Sequence, residues 1–66
     1  MLVFSYIYTT IKSNFKDLTE NLATAEKMAR KSKENEYDKL SVELISFEKV
    51  GFRKYMVIFK TVGYLK

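Results

Sequence analysis

The sequence predicts a two-layer α+β domain in which one helix packs on a three-stranded, largely antiparallel sheet, in the order β-α-β-β. Three segments are rich in β-branched and aromatic residues, and a fourth segment between the first two repeats apolar residues at steps of three and four. The chain has 66 residues, which is the size of one small domain. We therefore interpret residues 1–66 as a single domain.

The first strand is predicted over Met1–Ile11, which contains β-branched and aromatic residues and no glycine or proline. Large apolar side chains occupy both of its faces, one carrying Leu2, Phe4, Tyr6 and Tyr8 and the other Val3, Ile7 and Ile11. A strand with one face in water would be more polar on that face. Both faces of the first strand are therefore expected to be largely covered.

A helix is predicted from about Asn14 to Lys33, because apolar residues recur there with helical spacing. The side expected to face the sheet carries Phe15, Leu18, Leu22, Ala25 and Ala29. The segment Asp17–Glu20 has the spacing of a capping box, and Ser13 is an alternative N-cap. Lysine and arginine in the last turns suit the negative end of the helix dipole.

The second strand is predicted over Leu40–Phe47, where apolar side chains again fall on both faces. It is expected to end in a tight hairpin turn at Glu48–Gly51, since Gly51 can adopt a positive φ.

The third strand is predicted over Phe52–Leu65. Its unbroken apolar run Tyr55–Phe59 is typical of a strand covered on both faces, and therefore of a central strand. Gly63 is expected to mark a bulge or bend near the end of this strand.

The composition argues against catalysis and metal binding. The chain has no cysteine and no histidine, which removes disulfides, thiolate metal sites, the commonest transition-metal ligand and the commonest general base. Its carboxylates fall in caps, loops and outward strand positions, and no nucleophile or phosphate-binding motif is present. We expect a non-enzymatic protein without metal or cofactor. No membrane span or signal peptide is evident, so the expected location is the cytoplasm.

The chain carries more large apolar side chains than one helix can shield. Five Tyr and five Phe exceed what a one-helix core can hold, and a single helix covers only one face of a sheet. We expect a second copy of the chain to supply another sheet, packing face to face or extending edge to edge, in a module that holds a planar ligand or binds another protein. The alternative is a monomer whose tyrosine hydroxyls reach water. The candidate interface residues are Phe4, Tyr6, Tyr8, Phe47, Tyr55, Val57 and Phe59.

A net charge of +4 permits contact with nucleic acid without requiring it. The candidate nucleic-acid contacts are Lys27, Arg30, Lys31, Arg53 and Lys54. Cations in a last helical turn are also ordinary, and acidic residues are interleaved with these, so a solvated helix end is the alternative interpretation.

Three stretches resemble the dodecins, small strand–helix–strand–strand proteins that assemble into hollow flavin-binding shells. They are the helix start from Ser13 through Ala25, Val42–Leu44 in the second strand, and the closing strand from Tyr55 to Leu65. The resemblance implies the same fold, oligomeric assembly and possible flavin binding. Dodecins characteristically stack flavin on a Trp and bind its polar edge with a Gln. This chain has neither residue type, so no flavin-binding residue is carried over.

Overall fold

A computed structural model describes all residues, Met1–Lys66. Strand β1 spans Leu2–Lys12, helix α1 spans Leu18–Lys33, strand β2 spans Tyr37–Gly51 and strand β3 spans Lys54–Leu65. The strands form one sheet in the order β1-β3-β2, and both neighbouring pairs are antiparallel. The α+β class and the central position of the third strand, both predicted from the sequence, are confirmed.

The core lies between α1 and one face of the sheet. Alternate residues of β3 are buried there, and Val57 and Phe59 are completely shielded from solvent. The buried apolar set is Leu18, Ala29, Val42, Tyr55, Val57 and Phe59, with Ile7, Ile11, Leu22, Ala25 and Leu40 packed against it. Two of these residues on the inner side of α1, Ala25 and Ala29, have small side chains.

One hydroxyl pair lies inside this largely apolar layer. Ser5 and Thr61 are partners across the β1–β3 pair, and their hydroxyl oxygens lie 2.6 Å apart. The Thr61 hydroxyl also lies 3.3 Å from the Ser5 carbonyl oxygen, which can accept from it. Each polar group therefore has a partner, and burying Thr61 leaves no hydrogen-bonding group unsatisfied.

The start of the helix differs from the prediction. Asp17 is the N-cap residue, but its side chain makes no capping hydrogen bond, so no capping box forms. Instead, Asn14 Oδ1 accepts from the Asp17 N–H at 2.8 Å, and Asn21 Nδ2 donates to Ser13 Oγ at 2.7 Å. Because the helix begins only at Leu18, Phe15 lies in the preceding turn and is 83% exposed rather than facing the sheet.

Strand β2 is longer than predicted and contains three register shifts, between Asp38 and Ser41, Leu44 and Ser46, and Lys49 and Gly51. At the second shift Ile45 is an extra residue, so Phe47 rather than Ser46 pairs with Val57 on the helix side. Each bulge reverses the alternation of faces for the residues that follow it. The apolar residues of β2 therefore do not alternate regularly along the sequence.

The hairpin turn lies later than predicted. Gly51 pairs with Lys54 at the end of the ladder, and the positive φ in the turn, 52°, belongs to Arg53. Gly63 lies in regular strand opposite the first shift in β2, and the bulge there is in β2. A Cβ at Gly63 would lie 3.0 Å from Tyr37 Cβ, so glycine permits close approach of the two strands.

Candidate functional site

The sheet face opposite α1, which we call the open face, is not covered by any element of the chain. Residues of β1 and β3 alternate between the two faces without interruption, so the even-numbered residues of both strands lie on the open face. From β1 these are Leu2, Phe4, Tyr6, Tyr8, Thr10 and Lys12, and from β3 they are Lys54, Met56, Ile58, Lys60, Val62 and Tyr64. Their partners from β2 are Asp38, Ser41, Glu43, Ser46, Glu48 and Gly51.

Apolar side chains on the open face form a continuous strip over β1 and β3. The strip consists of Leu2, Phe4, Tyr6, Tyr8, Met56, Ile58, Val62 and Tyr64. Phe4, Tyr6 and Tyr8 are 57%, 54% and 67% exposed, although each lies in the middle of a strand. From typical side-chain areas, the apolar strip exposes about 500 Å², near the upper end for the largest patch of a monomeric protein. The apolar strip is therefore the candidate binding surface of the chain.

Charge on the open face is divided between its two sides. Its carboxylates, Asp38, Glu43 and Glu48, all lie on β2, while β1 contributes no acidic residue. Lys60 lies on the central strand between the apolar and the acidic part of the open face, because it pairs with Tyr6 of β1 and with Glu43 of β2. The Lys60 Nζ lies 5.2 Å from the centre of the Phe4 ring, a cation–π distance. The face is therefore apolar along β1 and acidic along β2.

The structure divides the candidate interface residues between the two faces. Phe4, Tyr6 and Tyr8 lie on the open face, and Phe47 is half-exposed on the helix side at the margin of the core. Tyr55, Val57 and Phe59 are buried beneath α1, so their assignment to an exposed interface is wrong. The physical reason is that an unbroken apolar run leaves the choice of inner face open, and here the odd-numbered residues face the helix.

The open face also includes apolar residues that the sequence reasoning did not select. Leu2, Met56 and Tyr64 are 46%, 36% and 47% exposed. Their face follows from the β1–β3 register, in which Leu2 pairs with Tyr64 and Thr10 with Met56. Leu2 alternates with Phe4, Tyr6 and Tyr8 in the sequence. Extending this alternation to a third strand paired with the first would have identified all three residues.

The candidate nucleic-acid contacts do not form one cluster. Arg30 donates to the Leu40 carbonyl oxygen at 3.2 Å and lies 4.0 Å from Glu26, which places the basic end of α1 beside the start of β2. Arg53 lies in the hairpin turn, where its carbonyl accepts from the Ser13 N–H. The two sites are separated by about 25 Å of strand. Lys27 and Lys31 thus share one end of the molecule, while Arg53 and Lys54 occupy the other.

Two open grooves flank the helix on its own side of the sheet. One, of about 460 Å³, lies between α1 and β1 and is lined in part by Ile7, Ile11 and Met28. The other, of about 630 Å³, lies between α1 and β2 and is lined in part by Phe15 and Phe47. The helix packs more extensively over β2 than over β1. The helix therefore leaves uncovered the edge of β1 that points away from β3.

No group of three or more acidic side chains lies close enough together to hold a metal ion. The single helix lacks the length and the apolar content needed to cross a membrane.

Comparison with protein-family models, with curated proteins and with solved structures gives no match to this chain. The resemblance to dodecins therefore stays a hypothesis that rests on the sequence stretches and on the shared order of elements.

Proposed function

We propose that this chain is a non-enzymatic interaction module that binds through the apolar strip of its open face, and that its first partner is a second copy of itself. The observation that carries the proposal is the exposure of Phe4, Tyr6 and Tyr8 in mid-strand. Side chains at such positions normally pack against another layer. The helix occupies the other face, so further contacts for these rings come from another molecule.

The size of the surface supports a protein partner. A stable interface buries about 800 Å² on each partner, with an apolar centre and a polar rim. The apolar strip supplies about 500 Å² of such a centre. Lys12, Lys54 and the carboxylates of β2 supply charged groups at its borders.

Self-association also fits the small size of the domain. A domain of about 60 residues buries a low fraction of its chain's surface and has a small stability margin. Only six apolar residues are buried in the core here, and the chain contains no cysteine for a disulfide. Covering the apolar strip would add buried apolar surface where the isolated domain has little.

The proposal is tested with the double variant Phe4→Ser/Tyr8→Ser and the control Phe52→Ser. Phe52 is 86% exposed but lies in the hairpin turn, so the control removes an even more accessible aromatic ring outside the apolar strip. Sedimentation velocity from about 1 to 500 μM should show association of the wild type and of Phe52→Ser, and at least a tenfold weakening for the double variant. Helical circular dichroism checks folding. A wild type that stays monomeric throughout, or equal weakening by both substitutions, would refute the proposal.

A further inference from the structure

We infer that the free edge of β1 pairs antiparallel with β1 of a second copy, so that two three-stranded sheets join into one continuous sheet. This inference rests on the proposed function for the identity of the partner. It adds the geometry: backbone hydrogen bonds join the two edges, and the apolar strips lie side by side, so that the aromatic rings of β1 contact side chains of the other copy across the seam.

The backbone of β1 offers a complete set of free hydrogen-bonding groups. The Leu65 N–H donates to the Met1 carbonyl and the Ser13 N–H donates to the Arg53 carbonyl, so odd-numbered residues of β1 and its flanks bond to β3. In an antiparallel pair, the residues between them direct both N–H and C=O to the opposite side. The even-numbered residues, from Leu2 to Lys12, therefore present theirs at the free edge.

No device that normally protects an edge strand is present on β1. Its 11 residues pair with β3 without a register shift, contain no proline, and include one charged residue, Lys12, at the end. Natural edge strands avoid unwanted pairing by bulges, charges, proline or a covering element. The groove between α1 and β1 shows that the helix does not cover this edge.

The other edge of the sheet shows the contrast. Strand β2 has three register shifts along its 15 residues, and Lys39 has a φ of 53° at the first of them. It also carries five charged residues: Asp38, Lys39, Glu43, Glu48 and Lys49. Bulges interrupt the even spacing of outward amides that a new strand needs. Pairing is thus expected at β1 and opposed at β2.

The charges on the open face favour edge pairing over face-to-face stacking. Stacking two complete open faces around a two-fold axis would place the acidic row of β2 against either the same row or the aromatic row of the other copy. Both arrangements take the carboxylates of β2 out of water, and the desolvation of charged groups is costly. Pairing through β1 instead brings the apolar halves together and leaves both acidic rows at the outer edges.

A symmetric register exists that uses the whole strand. In this register the numbers of two paired residues, one from each copy, add up to fourteen. Leu2 then lies opposite Lys12, Phe4 opposite Thr10 and Tyr6 opposite Tyr8. All outward amides are then used, giving about a dozen hydrogen bonds between the chains. No two lysines face each other, and the Tyr6 and Tyr8 rings form cross-strand aromatic neighbours.

The test uses total chemical synthesis of the 66-residue chain with a single backbone N-methyl group. N-methylation at Tyr6 removes an outward N–H and keeps every side chain, whereas N-methylation at Phe47 does the same on the outer edge of β2. Phe47 directs its amide outward because its partner Val57 bonds to β1. Sedimentation equilibrium and native mass spectrometry then report subunit number and dissociation constant.

We expect the unmodified chain and the Phe47 derivative to form dimers of equal affinity, and the Tyr6 derivative to dissociate at least tenfold more readily. Association of the Tyr6 derivative with unchanged affinity would overturn the edge geometry. If Phe4→Ser/Tyr8→Ser still weakened association in that case, the proposed function would stand and face-to-face packing would replace edge pairing. An unmodified chain that is monomeric at 500 μM would overturn both.

Discussion

Replacing Phe59 by Ala is expected to destabilise the domain far more than replacing Phe4 by Ala. The two residues undergo the same chemical change in neighbouring strands, but Phe59 is fully buried beneath α1 and Phe4 is 57% exposed on the open face. Truncating a buried Phe to Ala costs about 3–5 kcal/mol, from lost burial and from the cavity left behind. A domain of this size has a total stability of about 3–10 kcal/mol. Phe59→Ala should therefore remove a third or more of the stability.

Phe4→Ala should behave differently at different protein concentrations. At about 1 μM, where the monomer is expected to predominate, its effect on the free energy of unfolding should stay below about 1 kcal/mol. For a dimerising wild type, each tenfold rise in concentration adds up to about 1.4 kcal/mol of apparent stability per dimer, which is about 0.7 kcal/mol per chain. Because Phe4 lies in the apolar strip, this gain should shrink in Phe4→Ala.

The measurement is urea unfolding followed by helical circular dichroism at 1, 10 and 100 μM, with Val57→Ala as a milder core variant. Val57 is also fully buried, and its truncation should cost about 2 kcal/mol, which leaves a measurable midpoint if Phe59→Ala does not fold. Equal costs for Phe59→Ala and Phe4→Ala at 1 μM would show that α1 does not cover the face containing Phe59. A wild-type midpoint independent of concentration would contradict the association.

Further outcomes are expected for residues inside the sheet. Thr61→Val should cost about 1–2 kcal/mol of stability because Ser5 loses its hydroxyl partner. The double variant Ser5→Ala/Thr61→Val should be closer in stability to the wild type. Urea midpoints of the wild type, both single variants and the double variant check this, and additive costs would contradict it. Gly63→Ala should destabilise by about 1 kcal/mol, because its Cβ would lie 3.0 Å from Tyr37 Cβ. Gly51→Ala should instead stabilise by up to about 1 kcal/mol, since its φ is not positive and the nearest atom would lie 3.7 Å away; thermal midpoints that ranked the two glycine variants the other way would contradict this.

The order and type of the elements could be predicted because each has a clear period. Side chains of β1 alternate regularly between more and less exposed positions, and α1 repeats its apolar residues at helical spacing from Leu18 to Ala29. The ends of β2 could not be predicted, because bulges at Ile45 and Val50 shift its alternation and charged residues occupy both ends. The turn was misplaced because glycine was expected to supply the positive φ that Arg53 adopts.

The open face could be predicted only in part, for a related reason. Phe4, Tyr6 and Tyr8 were selected because they alternate with smaller residues, and they do lie on the open face. For β3, an apolar residue at every position from Tyr55 to Phe59 contains no information on which set faces the helix. That choice depends on pairing with β1, where Ile7 lies opposite Phe59 and fixes the inner set. Long-range register, rather than local pattern, decides it.

The contrast between the two sheet edges also limits how far association can extend. A β protein whose two sheet edges can both pair with another copy can add copies indefinitely and form fibres. This chain has one regular edge, and joining two such edges around a two-fold axis leaves only the bulged, charged β2 strands at the periphery. Growth of the sheet in its own plane should therefore stop at two copies: higher concentration should form more pairs without adding strands to any of them, because the bulges of β2 block further edge pairing.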